Sequence, residues 1–382
     1  MAGYVMTMNN EEKMQECIEN GFYGTLMKNE NEVTYWMHNQ EGTFADYATM
    51  KEGDHIYFFY KRTIYGIGKI TNIKKQCVYL NYPSANNPIP DNRDIGKTLL
   101  GNGTKEELDV RLITFFQPSP LFFKEGVDMD DVLSSNPKAF KMLRALWKLS
   151  FIKIDDTEDK ALYDIILRRN KLNYNNSYAF KSDSHKLFEK RINNQYEFNA
   201  CDFITYDSST KAINHEMALE LILLSQLKND ASTKEIFGNF DYLSHQVIAS
   251  PFKPIDYMDK MDIFGYSYIP SEKYDNNLDY KTIDTYKVIE LKRYGAEVDV
   301  VNQIMNYVDF IRDEYAAGDY GQIKAFIVAN SISDEVIARK NEIGKRYYTI
   351  DKRPPKSNIW DNLALIEYKY DVNLGKITFE VK

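Results

Sequence analysis

Asp262, Glu290 and Lys292 are the residues whose types and spacing best fit a chemical task. Glu290-Leu291-Lys292 ends an apolar run, and on a strand side chains two apart share a face. A carboxylate and an ammonium therefore stand together while Leu291 turns to the core. Asp262 begins an earlier strand among apolar neighbours, with the polar residues 271–284 as a hairpin excursion between the two. Upstream, Glu216 and Glu220 are four apart on an apolar helix and share one face. Strand acids, a helical acid and a lysine suit the hydrolysis of a phosphodiester. Mg²⁺ is a hard cation that prefers oxygen ligands and keeps several waters, and Mn²⁺ would substitute for it. Such a cation lowers the pKa of water and neutralises charge building on the phosphate. A lysine beside it orients the nucleophile or stabilises the developing charge. Two plainer readings stay open: a solvated strand end with an ion pair, and a turn or capping role for Asp262.

The elements that position these groups form a β-α-β unit, with a strand over 286–292, a helix over 296–315 and a second apolar strand over 323–328. Parallel strands of this kind are normally covered on both faces, so a charged pair on one of them needs a reason. Before this unit, helical spacing covers 216–227 and a partly alternating strand covers 242–248.

The first half reads differently. A short polar helix at 11–22 is followed by strands at 24–27 and 33–37, then by a hairpin with strands at 55–60 and 64–70. Residues 82–103, rich in Pro, Asn and Gly, read as a loop before a strand at 110–117. Helices at 129–133 and 137–149, a short strand at 151–154 and a helix at 158–169 complete it. The polar residues 172–200 read as a linker, which gives domains at 1–171 and 201–382.

Composition bounds the partners. A chain of 382 residues with 43% hydrophobic and 14% aromatic residues is folded and long enough for two cores. Its net charge of -8 argues against coating nucleic acid by bulk electrostatics, so any DNA contact must come from local basic patches. Cys17, Cys77 and Cys201 are far apart and form no CxxC pair, so neither a disulfide framework nor a structural zinc site is readable. The polar start of the chain and the lack of a long apolar run lead us to expect a cytoplasmic protein that does not enter a membrane. Scattered histidines and the absence of a G-x-S-x-G elbow argue against a serine or cysteine hydrolase.

Two resemblances follow from these motifs. Asp262 with Glu290-Leu291-Lys292 resembles the acid and (D/E)-x-K of the PD-(D/E)XK nuclease superfamily, and Gln303-Ile304-Met305-Asn306-Tyr307 matches the QxxxY helix motif of its RecB-like branch. The runs 289–293, 301–304 and 327–330 are similar to the NucS (EndoMS) type, although Met261 stands where that family has Pro. In the first half, residues 53–60 followed by Tyr65-Gly66-Ile67-Gly68-Lys69-Ile70 resemble PUA-like barrels of the EVE and ASCH kind.

The expected fold class is accordingly α/β, a restriction-endonuclease-like mixed sheet flanked by helices and preceded by a PUA-like β-barrel domain with helices. The resemblances imply Asp262, Glu290, Lys292, Gln303 and Tyr307 as catalytic residues and Asp262, Glu290 and Glu216 as metal ligands, with Glu220 the alternative helical acid. For the barrel they imply a base pocket drawing on Tyr35, Trp36, Tyr57 and Trp147. The expected activity is Mg²⁺-dependent cutting of DNA, with the barrel selecting modified DNA in a restriction or defence role and a homodimer as the working form. The alternatives are a nuclease for mismatched, branched or single-stranded DNA, and a non-catalytic nucleic-acid-binding protein.

Overall fold

The computed structural model describes residues 1–26, 38–80, 111–145, 151–192, 197–249 and 259–382. It is a mixed α/β chain that divides into two compact units, Met1–Phe203 and Ile204–Lys382. Among the described residues no helix is long and apolar enough to cross a membrane.

The first unit contains β1 (Gly3–Thr7), α1 (Glu11–Asn20), β2 (Phe22–Leu26), α2 (His38–Thr49), β3 (His55–Tyr60), β4 (Thr63–Ile70), β5 (Val78–Leu80), β6 (Arg111–Pro118), β7 (Val127–Asp128), α3 (Met129–Ser135), α4 (Met142–Ala145), β8 (Phe151–Ile154), α5 (Asp156–Arg169) and α6 (Asp183–Arg191). Its sheet runs β2-β6-β4-β3-β1-β8, with β5 on β6 and β7 on β4. Among the described residues the end strands β2 and β8 do not pair with each other, so the closed barrel expected from sequence is not seen there. The Gly66-x-Gly68 pattern has a packing cause. A Cβ on Gly66 would meet Tyr57 Cδ1 at 2.8 Å, and one on Gly68 would meet Ile56 Cγ2 at 2.5 Å and Phe116 Cδ2 at 2.7 Å. All three neighbours belong to the core, where side chains are close-packed and cannot yield.

Two readings of this unit need correction. The polar N-terminus contains β1, which pairs parallel with β3 and antiparallel with β8 and so lies inside the sheet. The expected linker is not an extended connection either. It carries α6, whose Phe188 is buried against Tyr79 and Phe115 with ring centroids 5.0 and 4.8 Å away. Backbone bonds from Tyr178 to Phe122 and from Lys181 to Glu19 tie the same segment to the β6–β7 connection and to α1. One buried aromatic and a few satisfied amides are enough to hold a polar stretch. The expected strand at 33–37 and loop at 82–103 lie outside the described residues.

The second unit contains α7 (Glu216–Asn229), α8 (Ala231–Phe237), β9 (Tyr242–Ile248), β10 (Lys260–Tyr268), β11 (Ile283–Gly295), α9 (Asp299–Glu314), β12 (Ile323–Ser331), α10 (Asp334–Ile343), β13 (Arg346–Lys352), β14 (Pro355–Trp360), β15 (Leu363–Asp371) and β16 (Lys376–Val381). Its main sheet runs β16-β15-β12-β11-β10-β9, and β13 and β14 form a separate two-stranded sheet. β11, α9 and β12 make the expected crossover, because β11 and β12 pair in parallel. β10 and β9 continue the sheet antiparallel on the other side. α7 is apolar almost all round and buried along most of its length, yet it keeps Glu220 within it.

Candidate active site

Strand register brings the two strand acids together. Ile263 pairs with Ile289 across the antiparallel β10–β11 ladder, which sets Asp262 opposite Glu290. The Leu291 N–H donates to Asp262 Oδ2 at 2.8 Å, and Lys292 Nζ donates to Glu290 Oε1 at 2.7 Å. The polar 271–284 excursion therefore adds length without separating the acids.

Burial decides the electrostatics. Asp262 is pushed well above the usual carboxylate range, first by burial and then by the charges of Glu290 and Glu220. Glu290 is pushed up by burial as well, against the pull of Lys292. Burial alone would lower the Lys292 ammonium. The charges of Glu290, Asp262 and Glu216 outweigh that and leave it raised. Lys292 is thus a permanent donor at neutral pH and not a base.

Both helical acids reach the site, in different ways. Glu216 is exposed, and its charge acts on Glu290 and Lys292. Glu220 is buried, acts on Asp262, and lies 2.9 Å from His245 Nδ1. From α9, Gln303 Nε2 donates to the Tyr307 hydroxyl at 2.8 Å, and that hydroxyl donates to the Lys260 carbonyl at 2.9 Å, two residues before Asp262. The Tyr307 phenol is pushed well up, by burial first and then by the Glu290 charge. The five residues read as catalytic from sequence therefore converge on one place.

Gln246 is a neighbour that sequence reading missed. It lies opposite Asp262 across β9–β10, in a left-handed conformation with φ of 50°. Its amide reaches Asp262 Oδ1 at 3.3 Å and Glu220 Oε2 at 3.4 Å. A non-glycine residue in this conformation inside a strand is costly, and such strain clusters at functional sites. Only the β9–β10 register could have pointed to it.

The arrangement suits a hard divalent cation. Glu290 Oε2 is buried and meets no donor besides a proton carried by Asp262 itself. Two opposed carboxyls with an unpartnered oxygen are charged cheaply only when a cation or a shared proton sits between them. Among the described residues no three or more His, Cys, Asp or Glu side chains come together as a group that could hold a metal ion. Mg²⁺ does not need one, since it keeps several waters beside one or two carboxylates.

The expected base pocket fares differently. Tyr35, Trp36 and Trp147 lie outside the described residues. Tyr57 is wholly buried and its hydroxyl donates to Asp159 Oδ1 at 2.9 Å, while His55 lies on Asp159 Oδ2 at 2.8 Å. A ring with no exposed face has nothing to stack on a base, so Tyr57 is a core residue here.

No protein-family model matches the chain, and no curated protein matches it. Among solved structures, it is similar to a repair endonuclease from Pyrococcus abyssi at 21% identity, over 37% of this chain and 46% of that one, with a TM-score of 0.21. A hypothetical protein from Leishmania major is similar at 13% identity over 45% of this chain and 96% of that one, with a TM-score of 0.28. A protein from Agrobacterium tumefaciens is similar at 16% identity over 44% and 92%, with a TM-score of 0.24. The chain thus spans less than half the length of the endonuclease it resembles. These likenesses are weak, and the functional reading rests on the site geometry.

Proposed function

We propose that the second unit is a metal-dependent nuclease of the PD-(D/E)XK kind that hydrolyses phosphodiester bonds in DNA. One observation carries this reading: Asp262 and Glu290 face each other across β10 and β11, with Lys292 on one Glu290 oxygen and the other meeting no donor besides a proton on Asp262. Asp262 and Glu290 would hold Mg²⁺, with Glu216 and Glu220 supplying further negative charge at its margin. When bound, the cation would activate water and offset charge on the scissile phosphate.

The chain's own groups have separable tasks. Lys292, held protonated by its acidic neighbours and partly exposed, donates to a phosphate oxygen or orients the attacking water. Tyr307 and Gln303 fix the start of β10 through the Lys260 carbonyl and so hold Asp262 in register. Gln246 braces Asp262 against Glu220 from the other strand. The first unit is proposed to select the DNA, including modified DNA, and a restriction or defence role for a homodimer extends that reading.

Incubation with plasmid and with plain and modified duplexes tests it. Cutting is expected with Mg²⁺ or Mn²⁺, and loss is expected in EDTA and on Asp262→Ala, Glu290→Ala or Lys292→Ala. Removing a single charge-stabilising donor costs on the order of 10²–10³ in rate. Full activity in EDTA or in the Glu290→Ala protein would remove the assignment.

A further inference from the structure

The β13–β14 hairpin stands on a fixed base and exposes several large apolar side chains beyond it. At the base Arg346 grips Asp309 of α9 twice, Nε to Oδ1 and Nη2 to Oδ2, each at 2.9 Å. The Tyr320 hydroxyl donates to the same carboxylate at 2.7 Å, and its ring meets the Tyr348 ring edge-on at 5.7 Å. Trp360 is buried and donates its indole N–H to the Ile323 carbonyl at 2.8 Å. Beyond this base, Tyr347, Ile350 and Ile359 are 75%, 54% and 50% exposed. Among the described residues β13 and β14 pair only with each other.

The charge of the hairpin opposes that of the chain. Residues 345–360 hold five basic side chains against one acidic, in a protein of net charge -8. Lys345, Arg353 and Lys356 are exposed. Lysines on an open ribbon can simply guard its edges from pairing with other chains. Guarding does not call for a large aromatic and two isoleucines in water, nor for so one-sided an excess of positive charge. Both fit a polyanion with an apolar floor. Two strands about 4.8 Å apart, with their side chains, enter a major groove about 12 Å wide.

We propose that the β13–β14 ribbon is a duplex-DNA-binding element, with Lys345, Arg353 and Lys356 on phosphates and Tyr347 turned to the groove. The proposal rests on DNA being the substrate. It adds that the nuclease unit holds the duplex itself, through a ribbon clamped to the helix that carries Gln303 and Tyr307.

The test measures binding apart from cutting. The full chain in EDTA is titrated onto a labelled plain duplex of about thirty base pairs at several salt concentrations, followed by anisotropy. Lys345→Glu, Arg353→Glu and Lys356→Glu together are expected to weaken binding at least tenfold. The slope of log affinity against log salt is expected to fall by about 2.7, at about 0.9 per lost phosphate contact. If the reversal lowers the melting temperature, the three Gln substitutions replace it, and a smaller slope is still expected. Equal affinity and slope in the variant overturn the proposal, as does a wild type that fails to bind duplex at low salt. Sedimentation is run alongside, and a dimer lost in the variant would assign the ribbon to self-association instead. Wild-type binding without cutting would remove the nuclease reading and leave the ribbon; cutting with unchanged binding in the variant would remove the ribbon alone.

Discussion

Glu290→Gln is expected to stabilise the second unit while abolishing cutting. In the wild type Glu290 Oε2 is buried without a donor besides an Asp262 proton, and the carboxyl is pushed up by burial against the pull of Lys292. An unsatisfied buried polar atom costs about 1–3 kcal/mol. An amide keeps an oxygen for Lys292, now 2.7 Å from Oε1, and turns its NH₂ group toward Asp262. The sign of the pH dependence follows from linkage. A carboxyl raised in the folded state stabilises fully below its unfolded pKa and loses that contribution as pH climbs through the folded value. The glutamine has no such loss from this position, so the gap between the proteins is absent below about pH 4 and grows upward. For a domain of this size each kcal/mol moves the melting temperature about 2–4 °C. If the proposed site binds Mg²⁺, the ion at about ten times its dissociation constant is expected to add about 1.4 kcal/mol to the wild type and nothing to a variant that cannot bind it. Thermal melts at pH 4, 6 and 8 with and without Mg²⁺, beside plasmid nicking, read all of this. A variant that melts below wild type at pH 8, gains equally from Mg²⁺, or still cuts refutes the reasoning.

Tyr307→Phe removes the bonds to Lys260 and Gln303, each worth about 1 kcal/mol, and is expected to slow cutting more than it weakens DNA binding; equal losses in both would make Tyr307 merely structural. Gln246→Gly relieves a left-handed backbone worth about 1–2 kcal/mol but deletes the amide between Asp262 and Glu220. Its melting temperature is expected to hold while the cutting rate falls about 10–100-fold, as on loss of a group that orients a metal ligand, and an unchanged rate would count against any bracing role. In the first unit Glu158 is raised to about 8, by burial first and then by Asp155, from an ordinary value of 4.5. Stability there is expected to decline as pH rises from about 4.5 toward about 8, and Glu158→Gln should flatten that slope in denaturant melts, whatever it does to the absolute value.

How much of this was legible in the sequence depended on the range of the interactions. β11, α9 and β12 were readable because a crossover is written in local periodicity, and Glu290, Lys292, Gln303 and Tyr307 all lie on those elements. Asp262 needed one further step, the assumption that a polar excursion closes a hairpin, and the register bears out that step. Gln246 and His245 needed the pairing of β9 with β10, which no local pattern encodes. β1 was lost because five residues carry little strand signal and its partner β3 lies some fifty positions away. α6 was lost because Phe188, not an apolar stripe, ties it down.

The helical acid shows the same limit at finer scale. Glu216 and Glu220 occupy one face by spacing, and sequence could not say which one serves the site. Three-dimensional placement divides them between two strands: the exposed Glu216 acts on Glu290 and Lys292, the buried Glu220 on Asp262. An exposed carboxylate is largely screened, whereas a buried one acts at nearly full strength. Glu220 is therefore the acid whose removal should change Asp262 most, and His245 and Gln246 are the groups that keep it in place. The part of the site that local sequence hides is the part that sets how far the Asp262 carboxyl is raised above its ordinary range.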